Sequence, residues 1–371
     1  MTANANNTAL SGLRVAHVVV SDAFAGSERY AVNLATGLSH RGAEVTLIGG
    51  MPSAMRRAIE DSGTDVTHWP ASGFAGASRR LRRIAPPDVV HAHLTAAEVA
   101  ATLVFPTRLR TTLISTRHIA SRRGRSLAGH AAAPFVRARI DQQLAPSRYV
   151  AQRVDGPCLV LPTGVANSKL GAHDEPVVIV AQRLEPEKDT ETALRAWAAS
   201  DLPRKGWELH LAGTGSQEPA LRHLARELGV GTSCRFLGHV DDIAQRLASA
   251  RLMLATTASE AFGLAVVEAM SCGLPVVAAA GGGHLETLGP VEGAALFEPR
   301  DHLGAAVLLG RLAEDSAGRA AYGARLRERQ RREYSLDGFV DRVSTLYLDV
   351  LAGRNARPRS SSRTAPEVKL S

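Results

Sequence analysis

Two doubly wound α/β domains in tandem are the fold class this chain predicts. Three observations lead there. The chain has 371 residues, 45% of them hydrophobic and 22% charged, which is globular material for about two domains. Short runs of Val, Leu and Ile alternate with longer segments of helical period. That rhythm then restarts near the middle of the chain. The strand-like runs are nearly continuous in apolar residues, as expected of a parallel sheet covered on both faces.

The first half reads as strand 13–20 (LRVAHVVV), helix 28–40, strand 44–49, strand 64–69, strand 88–92, helix 94–104, strand 112–116 and a short strand 158–161. The second half reads as strand 176–181 (PVVIVA), helix 189–199, strand 207–212, helix 217–228, strand 234–237, helix 241–249, strand 252–255, helix 264–272 and strand 275–279. Two βαβ series predict a domain over 13–165 and a second over 166–334. The polar stretch 162–175 has neither period and marks the boundary. After Glu298 the pattern is helical. Leu336, Phe339, Val340, Val343, Leu346, Tyr347, Val350 and Leu351 recur at helical spacing, which predicts a last helix over 335–352 packing back toward the first domain. Residues 1–12 and the tail 353–371 have no core-forming pattern and are expected to be disordered. There is no long-period repeat.

Composition narrows the function classes. Cys158, Cys234 and Cys272 are odd in number and far apart, which excludes a disulfide scaffold and a cysteine metal site. No apolar run reaches membrane-spanning length, and the first residues do not read as a secretory signal, so a cytoplasmic protein is expected. The net charge is +8, and it is unevenly placed. Residues 1–165 hold 19 arginines, no lysine and 10 acidic residues, a balance of +9; residues 166–371 balance at −1. A one-sided basic half points to an anionic partner.

The densest chemistry lies in 252–288. A strand, LMLAT, runs into the loop TASEAFG, then into helix LAVVEAMSCG and strand LPVVAAA. Glu260 sits at the strand-to-helix turn and Glu268 eight residues on, both at the carboxyl end of a sheet where open α/β folds bind ligands. Gly263 lets backbone approach a ligand, and the free amides near Gly263 and Leu264 form an anion site. Two hydroxyl-binding carboxylates beside a diphosphate-sized anion site suit a nucleotide sugar. Arg183 follows strand 176–181 directly and Lys188 lies at a helix start, so two cations flank the same region and can neutralise a departing diphosphate. No D-x-D triplet occurs, so fixed cations are expected in place of a metal, and no cofactor is expected.

The run SEAFGLAVVEAMSCGLPVVAAAGGGHLE resembles the signature of retaining glycosyltransferases of family 4, whose fold is GT-B: two Rossmann-like domains with a cleft between them. Weaker blocks follow in order. VAQRLEPEKDTETALRAW is similar to the family's phosphate-binding turn, HLAGTGSQEPAL to its Gly-x-Gly loop and FLGHVDD to its nucleoside-side loop. FAGSERYAVNLATGLSHRGAEVTLI is similar to its N-terminal Gly-rich loop and helix, VVHAHLT and ISTRHIA to its acceptor-side histidine blocks, and APSRYVA and VLPTGV to the blocks before the domain crossing. The likeness covers roughly 13–350.

The resemblance implies a second domain that holds the nucleotide-sugar donor through Phe262, Gly263, Leu264, Glu268, Arg183 and Lys188. It implies Glu260 on the transferred sugar, His118 near the reacting carbon and Gly26 near the diphosphate from the first domain. It also implies a hexose donor, mannose or glucose, same-face attack with retention, and a role in glycolipid, polysaccharide or cell-envelope synthesis. Three departures stand out: Ala25-Gly26 in place of two glycines, Thr163 in place of Asn, and His284-Leu285 before Glu286 in place of a hydrophobic-Pro pair. The +9 of the acceptor-side half implies an anionic or lipid-linked acceptor and peripheral contact with an anionic membrane.

Other readings stay open on the same residues. A sugar-nucleotide epimerase shares the architecture. A phosphorylase needs a cofactor lysine, and the chain has only Lys169, Lys188, Lys205 and Lys369. Arg79, Arg80, Arg82 and Arg83 form one basic cluster, and Arg117, Arg122, Arg123 and Arg125 a second that flanks His118 and suits a phosphorylated acceptor. Neither interleaves aromatics, so nucleic acid is not expected. Gly213-Thr214-Gly215 lacks the third glycine of a dinucleotide fingerprint. His91 and His93 would need two more ligands for zinc, and loop structure or acceptor shaping is the expectation for them.

Overall fold

The computed structural model describes residues 10–21, 24–107, 111–124 and 127–355. The first half builds a seven-stranded sheet from β1 (Arg14–Val19), β2 (Glu44–Gly49), β3 (Thr67–Trp69), β4 (Val89–His93), β5 (Thr112–Thr116), β6 (Gln142–Ala145) and β7 (Leu159–Val160), in spatial order β3-β2-β1-β4-β5-β6-β7. Its helices are α1 (Gly26–His40), α2 (Pro52–Ser62), α3 (Gly73–Leu81), α4 (Leu94–Val104), α5 (Leu127–Arg139) and α6 (Arg148–Ala151). The second half builds a six-stranded sheet, β10-β9-β8-β11-β12-β13, from β8 (Glu175–Ala181), β9 (Glu208–Ala212), β10 (Cys234–Gly238), β11 (Ala250–Ala255), β12 (Val276–Ala279) and β13 (Ala295–Phe297). Around it lie α7 (Thr190–Ala199), α8 (Glu218–Glu227), α9 (Ile243–Ser249), α10 (Leu264–Ser271), α11 (His284–Thr287), α12 (His302–Glu314) and α13 (Ser316–Glu333), and α14 (Leu336–Asn355) ends the described chain.

Every strand pairing in both sheets is parallel. Parallel neighbours require crossovers, and the helices supply them on both faces. The strand order reverses between β1 and β4 in one sheet and between β8 and β11 in the other. These switch points leave crevices beyond the strand ends, where such folds bind ligands.

Seven elements are not read from sequence: α6, α11 and β13 are only three or four residues long, and four others carry too weak a pattern. In α2 only Met55 and Ile59 are buried, α3 is short, α5 contains Pro134, and β6 is QQLA. The strand expected over 64–69 starts only at Thr67, because Gly63 ends α2 in the left-handed conformation and the chain needs 64–66 to turn back. The expected disordered ends are corrected where described. Leu10 is buried and its amide donates to the Arg41 carbonyl at 3.1 Å, and α14 runs on to Asn355. The remainder of both ends lies outside the described residues.

The chain crosses between the halves twice, side by side. The Val165 amide donates to the Tyr334 carbonyl (2.9 Å) and the Leu336 amide to the Val165 carbonyl (3.0 Å). The helix α14 then lies on α1, with Phe339, Val340, Val343 and Tyr347 buried among Tyr30, Leu34 and Leu38. Each such side chain contributes about 1.5–3 kcal/mol by burial. Gly37 makes the contact possible, since a Cβ there would lie 2.5 Å from Val340 Cγ2.

Candidate active site

In the second sheet the switch point brings together two of the expected polar residues, Lys188 and Glu260. The strand β8 ends at Ala181, and Gln182 and Arg183 follow it; β11 ends at Ala255, and the loop to Glu260 follows it. Lys188 Nζ meets Glu260 Oε2 at 2.7 Å, with the two side chains 17% and 20% exposed. The lysine is held by its backbone. Its carbonyl accepts from Gln182 Nε2 (2.9 Å) and Thr256 Oγ1 (2.9 Å), and Asp189 after it takes a left-handed φ of 50°. Reading the sequence missed Gln182 and Thr256; their signal is that each directly follows the carboxyl end of a switch-point strand. Arg183 is not brought to the lysine. It turns to Glu187 at 2.7 Å and is 59% exposed.

Gly263 opens α10 at a φ of 93°, and a Cβ there would lie 3.2 Å from His284 Cδ2, so backbone lies where a side chain would crowd the ring. Gly26, the first residue of α1, faces this helix start from the other half: a Cβ on it would lie 3.2 Å from Leu264 Cδ1. Glu268 Oε1 accepts from Arg29 Nη1 at 2.9 Å, an ion pair between the halves that the sequence did not disclose. The ring of Phe262, expected on the donor, is instead buried edge-on against Tyr334, with centroids 5.6 Å apart, so only its backbone is left for a ligand. The segment 284–286, where the sequence departs from the family pattern, is partly structural. His284 is buried, and Glu286 accepts from the Arg148 and Tyr149 amides, both at 2.8 Å.

The two glutamates are driven apart electrostatically. Burial pushes the Glu260 carboxyl up, but Lys188, His284 and the Ala261 amide outweigh it and hold it below the ordinary carboxylate value. Burial dominates at Glu268 and raises it, with Arg29 offsetting only part.

The first half adds a histidine cluster. His17 on β1, His91 and His93 on β4, and His118 past β5 stack side by side, because parallel pairing sets β1 against β4 and β4 against β5. Of the two further ligands that zinc would need beside His91 and His93, the fold brings up one, His17, distant in sequence; ligand atoms of the three lie within 4.8 Å of one another. Both ring nitrogens of His91 are already engaged, by Tyr347 Oη (2.6 Å) and Thr116 Oγ1 (2.7 Å). Burial lowers the His118 ring to about 3, so it is neutral at physiological pH. Two arginines of the basic cluster flanking His118 are engaged inside the protein. Arg117 and Arg123 are buried, bonded to Glu98, and Arg123 also to Asp155 (2.7 Å). Desolvated guanidinium groups need carboxylates beside them. Arg122 is exposed, and Arg125 lies outside the described residues.

Two family models match consecutive stretches: "Glycosyltransferase Family 4" over residues 24–166 and "Glycosyl transferases group 1" over 166–330. The chain belongs to the family 4 glycosyltransferases. Its similarity extends along most of the chain to a D-inositol 3-phosphate glycosyltransferase of Xylanimonas cellulosilytica, 28% identical over 90% of this chain and 93% of that protein. A Corynebacterium glutamicum GDP-mannose-dependent monoacylated alpha-(1-6)-phosphatidylinositol monomannoside mannosyltransferase is 32% identical over 48% of this chain and 49% of its own length. The chain spans about half or less of the length of the curated relatives it matches first. Among solved structures, Anabaena Alr3699/HepE in complex with UDP-glucose superposes with a TM-score of 0.76 at 20% identity, covering 91% of this chain and all of that one. The fold of this family 4 member is GT-B: two parallel-sheet, Rossmann-like domains. Among its described residues no helix is long and apolar enough to cross a membrane.

Proposed function

We propose that the chain is a retaining hexosyltransferase that moves mannose or glucose from a nucleoside-diphosphate sugar to an anionic or lipid-linked acceptor, in glycolipid, polysaccharide or cell-envelope synthesis. The observation that carries this reading is the Lys188–Glu260 pair beside the open start of α10, with Gly26 facing that helix start from the other domain. A fixed ammonium next to free helix amides is an anion site, and Glu260 beside it is a hydroxyl acceptor.

In this reading Lys188 and the Gly263 and Leu264 amides hold the diphosphate, and no metal is required. Arg183 joins them on donor binding; its exposed pair with Glu187 is worth only about 0.3–0.5 kcal/mol and breaks easily. Glu260, kept ionised by Lys188, accepts from hydroxyls of the transferred sugar. Glu268 exchanges Arg29 for the ribose hydroxyls. His118 contacts the donor sugar from the first domain. The second domain, 166–334, binds the nucleotide sugar, and the first, 13–165, receives the acceptor. The departing phosphate takes the acceptor proton on the same face, so no strong side-chain base is needed. Domain closure around the donor excludes water.

Acceptor class follows from charge. The buried arginines are balanced by Glu98 and Asp155, so the +9 of residues 1–165 stays with the remainder of that half. That excess favours an anionic acceptor presented at the inner face of a membrane, with the protein cytoplasmic and peripheral. Names of relatives support both a GDP-sugar and a lipid acceptor, and a fold neighbour carries UDP-glucose.

A panel of UDP- and GDP-sugars, with and without lipid extract, read by nucleoside-diphosphate release and product anomeric configuration, tests the reading. Release with an α-linked product is expected. Lys188→Ala should remain folded and abolish release. Wild-type turnover in that variant refutes the phosphate assignment, and no release with any donor refutes the transferase.

A further inference from the structure

Two hydrogen bonds link three imidazoles in series. His17 Nδ1 lies 3.1 Å from His93 Nε2, and His93 Nδ1 lies 3.1 Å from His118 Nε2. The first pair of rings is stacked at 14° and the second tilted at 34°, and Tyr30 packs edge-on against His93 and His118. The inner end of the chain is His17 Nε2, which is buried with no partner among the described residues. The outer end is His118 Nδ1. It too has no partner among the described residues, but the residue is only partly buried and this atom is not among the fully buried unpartnered ones.

Burial lowers all three rings, helped at His93 by His91, His118 and His17 and at His118 by Arg117, so each is neutral. A neutral imidazole has one N–H and one lone pair. Two bonds in series therefore run in one direction. If the chain donates inward, an unpaired N–H is stranded at His17 Nε2. If it donates outward, only a lone pair is stranded there. Orphaned buried N–H groups are the rarer and costlier of the two. Outward donation gives His17 Nδ1–H to His93 Nε2, His93 Nδ1–H to His118 Nε2, and leaves His118 with its proton on Nδ1. His91 does not interfere, since Tyr347 and Thr116 occupy its nitrogens.

We propose that His17 and His93 are positioning residues that fix His118 as the Nδ1–H tautomer, so that His118 offers the cleft a hydrogen-bond donor and not an acceptor. Resting on the transferase reading above, the recipient is a hydroxyl oxygen of the donor sugar. A donor there complements Glu260 across the cleft, which only accepts, and the pair discriminates the orientation of the sugar. The free neutral side chain favours the other tautomer, so the arrangement has to be imposed.

The test uses the full chain labelled with 15N-histidine at pH 7.5. Long-range proton–nitrogen correlations should show His118 protonated on Nδ1 and bare on Nε2; the opposite pattern overturns the proposal whether or not the protein transfers sugar. Stoichiometric zinc retained on the histidines overturns it too. Two variants follow. His93→Asn keeps an N–H near the position of Nδ1 and should preserve the tautomer. His93→Leu removes it, should release the tautomer, and should raise KM for the sugar nucleotide roughly tenfold, as for one lost neutral hydrogen bond. Inhibition by the nucleoside diphosphate, which lacks the sugar, should be unchanged. Equal loss of both affinities, or equal effects of the two variants, refutes the positioning role. Failure of wild type to turn over any sugar nucleotide leaves the tautomer to be decided by the spectra alone.

Discussion

Acidification should destabilise this protein through its buried histidines, and the size can be worked out for His17. The ring is fully buried and its value is lowered by burial from 6.5 to about 3. Above pH 6.5 the ring is neutral in both folded and unfolded chains and contributes no pH dependence. Below it, the unfolded chain takes up a proton that the folded chain refuses, so stability falls as pH falls toward the folded value. Between pH 7.5 and 5.0 one such ring costs about 2 kcal/mol, from one proton at 1.36 kcal/mol per pH unit over the part of the range below 6.5. His17→Gln removes the titration while keeping a neutral polar side chain. Guanidinium unfolding of both proteins at the two pH values, extrapolated linearly, gives four free energies. Wild type should lose about 2 kcal/mol more than the variant on acidification, and the double difference cancels groups common to both. Equal losses, or a His17 resonance titrating near 6.5, would refute the reasoning.

Two further outcomes follow from the packing. Glu98→Gln leaves Arg117 and Arg123 desolvated without their shared carboxylate and should cost about 3–5 kcal/mol in denaturant unfolding, whereas Arg122→Ala on the surface should stay within about 0.5 kcal/mol. Gly37→Ala drives a methyl into Val340 at the α1–α14 contact and should cost about 1–3 kcal/mol by calorimetry; adding Val340→Ala should recover part of it, and strict additivity would place the strain elsewhere.

Much of the fold was legible because strands buried on both faces read as unbroken apolar runs. The segments 44–49, 94–104 and 112–116 have the same limits in sequence and structure. Among the elements that escaped, α2 and α3 bury too few apolar residues to leave a period, and α6, α11, β6 and β13 are too short to show one. Within the candidate site, Glu260, Lys188, Gly263 and Leu264 were legible from their spacing after strand ends. Phe262 turns its ring onto Tyr334, since proximity to a motif does not say which way a ring points. Arg183 is near the site in sequence but pairs outward with Glu187.

By itself, the sequence determined the two tandem domains, the carboxylate pair at the second switch point, and the excess of arginine in the first half. These are local or compositional properties, carried by periodicity, spacing and counting. Only the tertiary structure decided which charges meet. Arg29 reaches Glu268 across 239 residues, Glu98 takes up two arginines that looked free, and His17 joins His93 and His118 through strands adjacent only in the sheet. Parallel sheets pair strands that lie far apart along the chain, so partners of buried polar groups are set by topology, which no local pattern records.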